Sequence, residues 1–139
     1  MRHDVSYGTR VPTSEHIDRP AGTVYEYAVD PSNLPQWAAG LAKTTVEHVD
    51  GQCVADSPMG RVTVTFAEHN DFGILDHTVT LPSGESVYNP LRVIPAGDDA
   101  SEVVFTLRER PDMSNEEFAQ DSPAVQADLE SLKRIIEAS

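Results

Sequence analysis

The stretch that most constrains this chain is its last, Met113 to Ser139, MSNEEFAQDSPAVQADLESLKRIIEAS. Phe118, Val125, Leu129, Leu132 and Ile136 recur at spacings of seven, four, three and four, which is one face of a 3.6-residue repeat. Ser114 followed by Glu117 reads as a capping box. A helix this long with a single apolar face has to cover something. Pro123 is its exception. Inside a helix it lacks the N–H for one backbone bond and clashes with the carbonyl four residues back. Asp121 or Ser122 can cap a new helix that has Pro123 at its first position. A kink or break is therefore expected near Ser122.

What precedes the helix reads as strands. Val11–Asp18 predicts a first strand, and Pro20 opens a helix that runs to Val29. Asp30-Pro31 then starts a second, short helix carrying Leu34 and Trp37 and ending by Gly40. From Lys43 the texture changes. Thr44–Val49 and Gln52–Asp56 flank Asp50-Gly51, a two-residue hairpin signal. Strands are expected at Arg61–Glu68, Ile74–Leu81, Ser86–Ile94 and Ser101–Arg110, separated by turns rich in Pro, Gly, Asp and Asn. Residues 1–10 show no periodicity and are expected to form a flexible tail ahead of one domain spanning 11–139. Short strands joined by tight turns, with helices before and after, predict an α+β arrangement: an antiparallel sheet with its helices on one face.

Composition narrows the partners. The chain has 139 residues and a net charge of −13. That charge argues against nucleic acid and against anionic membrane surfaces, both of which reward basic patches. No apolar run approaches the ~18 residues of a membrane span, and MRHDVSYGTR lacks the apolar core of a signal peptide. One cysteine, Cys53, cannot form an internal disulfide. A cytoplasmic location is expected from these features. The five histidines have no metal-ligand spacing, and no phosphate loop or nucleophile elbow is present. No metal and no cofactor are expected.

The order of elements resembles the helix-grip fold of the START/Bet v 1-like (SRPBCC) superfamily. At sequence level it is similar to small bacterial proteins grouped with polyketide cyclase/dehydrases. The residues that carry this are Ile17, Pro20 and Val24-Tyr25, then Asp30-Pro31-Ser32-Asn33-Leu34-Pro35-Gln36-Trp37. Ser57-Pro58-Met59-Gly60, Asp76-His77-Thr78-Val79, Asn89-Pro90-Leu91-Arg92-Val93, Val104-Phe105-Thr106-Leu107 and Asp128-Leu129-Glu130-Ser131-Leu132-Lys133 follow. The resemblance implies a curved antiparallel sheet wrapped around the long C-terminal helix, with two short helices after the first strand and a cavity between sheet and helix. It brings no catalytic motif that transfers residue by residue.

Counting across the turns predicts what lines such a cavity. If Val79 lies opposite Val87, then His77 faces Asn89 and Leu75 faces Leu91. If Val93 lies opposite Val103, Leu91 meets Phe105. Across the other edge Val64 falls opposite His77. Alternation then gathers Val62, Val64, Phe66, Leu75, Val79, Leu81, Val87, Leu91, Val93, Val103, Phe105 and Leu107 on one face, with His77 and Asn89 at its centre. Phe118, Val125, Leu129 and Leu132 of the helix form the opposite wall, and Trp37 lies at the rim. Arg92 falls on the other face and is expected to be solvated.

Two polar groups inside an apolar wall need partners, because an unpaired buried donor costs ~1–3 kcal/mol. His77 and Asn89 either satisfy each other or an ordered water, or anchor a ligand carbonyl or hydroxyl, or place His77 for proton transfer. His77 is the one catalytic candidate. Three functions stay open. The first is binding of a hydrophobic small molecule of lipid, polyketide or aromatic type. The second is a cyclase/dehydrase-like enzyme using His77. The third is an interaction or stress module with a vestigial cavity. A homodimer through the exposed sheet is compatible with all three.

Overall fold

The computed structural model describes residues 10–38, 46–49, 52–57, 60–108 and 115–139, with the backbone path alone for 10–12, 31, 46, 48, 49, 57, 108 and 115–122. β1 (Arg10–Ile17) leads into α1 (Ala21–Val29), a 3-10 turn (Pro31–Asn33) and α2 (Leu34–Trp37). The strands that follow are β2 (Val46–Val49), β3 (Gln52–Ser57), β4 (Gly60–Phe66), β5 (His77–Thr80), β6 (Ser86–Asn89), β7 (Leu91–Pro95) and β8 (Ser101–Arg108). The last element is α3 (Asn115–Glu137). Of the tail expected over residues 1–10, only Arg10 is described, and it belongs to β1.

Short-range chemistry sets most boundaries. Asp30 Oδ1 accepts both the N–H and the hydroxyl of Ser32, at 3.0 and 2.8 Å, which caps the turn that Pro31 begins. Val49 pairs with Gln52, the register a two-residue connection requires; Asp50 and Gly51 themselves lie outside the described residues.

The strands are antiparallel and follow the orders β2-β3-β4-β5-β6 and β1-β8-β7. The two groups join beside β5. Ile74 bridges Arg92, Leu75 N–H donates to the Leu91 carbonyl at 2.8 Å, and Val93 N–H donates to the Gly73 carbonyl at 2.8 Å. β6 and β7 are thus two halves of one strand, interrupted at Pro90, which has no N–H to contribute. The result is a curved antiparallel sheet with α3 packed over β1 and β8 and α1 packed over β7 and β8. This is the helix-grip architecture.

The core lies between sheet and helices. Ile17, Val24, Val103 and Leu132 are fully buried, with Leu75, Leu91, Val93 and Leu129 at 1% exposure. Each such side chain stabilises the fold by ~1.5–3 kcal/mol. The C-terminal end of α3 is tied to the β1–α1 junction. Glu137 Oε2 accepts Asp18 N–H at 2.8 Å and Lys133 Nζ at 2.7 Å, and Arg19 Nη2 donates to the Glu137 carbonyl at 2.6 Å.

Two expectations need correction. Val64 does not face His77; it pairs with Val79, and Phe66 takes the place opposite His77. Residues 67–76 are an irregular connection, longer than the 69–73 loop expected between the two strands, so counting across it misses by two. A shift of two keeps every side chain on its own face. Of the kink or break expected near Ser122, the break is absent, because α3 is one helix through Pro123. Val125 packs on the core and Leu129 and Leu132 are buried, and this tertiary packing outweighs one lost backbone bond. The Ser114–Glu117 capping box lies outside the described residues. Pro123 is exposed, so Pro123→Ala restores the N–H without disturbing packing. A mid-helix proline costs ~3 kcal/mol, while its stiffening of the unfolded chain returns ~0.4–1 kcal/mol. Urea denaturation is expected to show Pro123→Ala about 2–2.6 kcal/mol more stable.

Candidate functional site

The concave face of the sheet divides into a sealed half and an accessible half. Leu75, Leu91, Val93 and Val103 are closed off beneath α1 and the C-terminal part of α3. Phe66, His77, Val79, Val87, Asn89 and Phe105 are only half-buried. Alternation along β4, β5, β6 and β8 brings these side chains to one face, and antiparallel pairing brings them side by side. His77 pairs with Asn89, Val79 with Val87 and Leu91 with Phe105.

His77 and Asn89 meet as expected. His77 Nδ1 lies 3.0 Å from the Leu75 carbonyl. A carbonyl only accepts, so Nδ1 carries the hydrogen. Asn89 Nδ2, a donor, lies 3.4 Å from His77 Nε2, which must accept and is unprotonated. The ring is therefore assigned as the neutral Nδ1–H tautomer. Burial lowers its pKa below the ordinary 6.5, against the opposing pull of the Leu75 carbonyl and the Asp76 charge. Phe66 and Phe105 flank the imidazole, with centroids 5.1 and 6.3 Å away.

The cause of this arrangement is a ladder bond that is not made. Across Leu75 and Leu91 only one of the two reciprocal backbone bonds forms, Leu75 N–H to the Leu91 carbonyl. Leu91 N–H donates instead to Asp76 Oδ1 at 2.9 Å. The Leu75 carbonyl, left over, takes His77 Nδ1–H. Consecutive side chains on opposite faces thus complete the two halves of one interrupted pair, beside the residue where Pro90 breaks the strand.

Asp76 is 6% exposed and fully engaged. Arg92 Nε and Nη2 both donate to it at 2.8 Å, and Tyr88 O–H donates at 2.6 Å. These donors, Arg92 first, hold its carboxyl far below the ordinary carboxylate range. Arg92 is on the outer face as expected but is not merely solvated; it is the bidentate partner of a buried acid. Sequence reasoning passed over Asp76. The signal is in the sequence: a carboxylate inside the expected strand Ile74–Leu81, on the outward alternation, two cross-strand positions from an arginine.

Of the other expected lining residues, Leu91, Leu129 and Val64 are buried and Val125 is half-buried against the core. Trp37 is 7% exposed, and its indole N–H has no acceptor among the described residues. It packs into the core cluster with Leu129 and Leu132. The Phe118 side chain lies outside the described residues.

The family model described as "Polyketide cyclase / dehydrase and lipid transport" matches residues 8–137. No curated protein matches in sequence. Among solved structures, the Zhui aromatase/cyclase from Streptomyces sp. R1128 superimposes with a TM-score of 0.68 at 13% identity, over 93% of each chain. A START superfamily protein from Mycobacterium smegmatis gives 0.68 at 12% identity, over 94% of this chain and 99% of that one. A conserved protein from Geobacillus kaustophilus gives 0.73 at 11% identity, over 94% and 97%. At these identities the structures establish the shared fold alone. No described helix is long and apolar enough to cross a membrane.

Proposed function

Because this chain belongs to the polyketide cyclase / dehydrase and lipid transport family, we propose that it binds a hydrophobic small molecule carrying a hydroxyl, between the sheet and α3. The observation that carries this reading is the long His77–Asn89 contact of 3.4 Å on a half-buried, otherwise apolar wall. A hydroxyl is the group that fits such a pair, accepting from Asn89 Nδ2–H while donating to His77 Nε2. Phe66 and Phe105 supply apolar faces for the body of the ligand. An alcohol, phenol or enol satisfies this chemistry, whereas a hydrocarbon leaves the pair as it is.

The unprotonated Nε2 favours a second reading, in which His77 acts as a general base on an enolisable or hydroxylated polyketide-like substrate. A depressed pKa keeps the ring available as a base near neutral pH. Loss of turnover of a β-keto thioester in His77→Ala, with binding retained, would favour this reading over simple carriage.

Matched pairs of ligands test the binding proposal, for example 2-naphthol against naphthalene, by calorimetry or displacement of a fluorescent probe. The hydroxylated member is expected to bind about tenfold tighter, since a paired buried hydrogen bond contributes ~1–1.5 kcal/mol. In His77→Phe the preference should disappear while the hydrocarbon binds as before. Equal affinities in the wild-type protein would refute the anchor role, and no binding across a lipid and aromatic panel would refute the carrier reading altogether.

A further inference from the structure

We propose that a second site, on the outside of the molecule, takes a small aromatic cation with a carbonyl next to its charge. It is a cleft of about 330 Å³ between α1, the loop 67–74 and the end of β7. Of its lining residues only Val93 lies on the concave face, in the sealed half, and neither His77 nor Asn89 reaches the cleft.

The loop that forms one side is held tightly. The Asn70 side chain makes four hydrogen bonds, donating to the Glu68 and Ile74 carbonyls and accepting from Phe72 N–H and Ile74 N–H. On this rigid frame Phe72 stands 78% exposed, the most exposed large hydrophobic side chain among the described residues. An aromatic ring held out by a fully bonded loop presents a flat apolar face whose covering is favourable.

Charge chooses the occupant. Glu26 and Asp71 line the cleft, and no Lys, Arg or His is among its lining residues. His69 Nε2–H donates to Glu26 Oε2 at 2.8 Å and fixes that carboxylate. The chain carries a net charge of −13, which favours the approach of cations. An ammonium in a cleft lined by these carboxylates and the Phe72 ring gains from both.

A second polar group asks for an acceptor. Tyr25 is 4% exposed and lines the cleft. Its oxygen accepts Asn70 N–H at 3.0 Å, while its own O–H finds no acceptor among the described residues. A ligand carbonyl supplies one. The first turn of α1, which adjoins the cleft at Ala21 and Gly22, has no side-chain cap and no acidic residue. Its positive end suits the carbonyl rather than the ammonium. Gly22 leaves the floor bare, with nothing within 4 Å of the position a Cβ would take.

Phenylalaninamide carries an ammonium, a carbonyl next to it and a ring, and N-acetylphenylalaninamide lacks the charge. Amide NMR titrations of the full chain are expected to show phenylalaninamide shifting Gly22, Asn70 and Gly73, with the acetylated probe about tenfold weaker or more. Affinity should fall as salt rises from about 0.02 to 0.5 M. Glu26→Gln with Asp71→Asn should reduce the cation to the level of the neutral probe, and Gly22→Leu should abolish binding in a folded protein. His77→Phe should change nothing, which separates this site from the interior one. Equal binding of both probes, binding that survives Gly22→Leu, shifts centred on His77, or no shift at millimolar phenylalaninamide would each overturn the proposal.

Discussion

Asp76→Ala is expected to lower folding stability by about 3 kcal/mol and to free the His77 ring. The carboxylate accepts from Leu91 N–H, from Arg92 twice and from Tyr88. Losing it leaves two donors, Leu91 N–H and His77 Nδ1–H, with the Leu75 carbonyl as their shared acceptor, and whichever is left out costs ~1–3 kcal/mol. The ion pair itself contributes less, because the Arg92 side chain is 48% exposed and water replaces much of what it loses. Asp76→Asn keeps an acceptor for Leu91 and should cost about half as much. In Asp76→Ala the Leu91 N–H is free to return to the Leu75 carbonyl. That would displace His77 Nδ1 and remove the constraint on its tautomer, a change readable in the imidazole nitrogen shifts. A loss below about 1 kcal/mol in urea denaturation, with the His77 tautomer unchanged, would contradict this account.

The same residue predicts a pH dependence. The folded-state pKa of Asp76 lies below its ordinary value of 3.8, so the unfolded chain takes up a proton first as pH falls. Its contribution is fully present above about pH 5, declines as pH drops through 3.8, and is lost on approach to the folded value. Asp76→Asn should therefore flatten the acid limb of the stability curve and leave the neutral region parallel to the wild type.

Gly73→Ala is expected to cost about 2–4 kcal/mol, more than its size suggests. Gly73 has φ +73°, and a Cβ there would lie 2.1 Å from the Val93 carbonyl oxygen. Left-handed backbone alone costs an L-residue ~1–2 kcal/mol. The clash is with backbone, so it is relieved only by moving the loop away from β7. That movement breaks the Val93 N–H bond to Gly73 and strains the bonds around Asn70. Gly84 is the control. Its φ is +92°, but nothing lies within 4 Å of an added Cβ, so Gly84→Ala should show the conformational strain without the clash. Comparable losses in the two variants, measured by thermal unfolding, would contradict the argument. Phe72 belongs to the same loop, so Gly73→Ala should also weaken binding at the outer cleft.

Much of the architecture was legible because it rests on local rules. Turn residues and two-residue alternation alone place His77 opposite Asn89 and Val93 opposite Val103, as the sheet has them. The failures came where local rules have no purchase. The connection 67–76 has no turn type to count across, so Val64 was assigned Phe66's partner. Pro123 broke a local rule that packing on Val125, Leu129 and Leu132 overrode. The outer cleft had no sequence signal, since α1, the loop and β7 are far apart along the chain.

The sequence by itself determined the element order, the apolar faces and the meeting of His77 with Asn89, because hydrophobic period and turn chemistry are encoded over a few residues. Only the tertiary structure decided that α3 runs unbroken, that Asp76 and His77 divide the two halves of an interrupted ladder pair, and which half of the sheet stays accessible. Those outcomes depend on whether each donor finds an acceptor and each apolar surface a cover. The partners come from segments distant in sequence, so their pairing is settled only when the sheet curves and the helix closes on it.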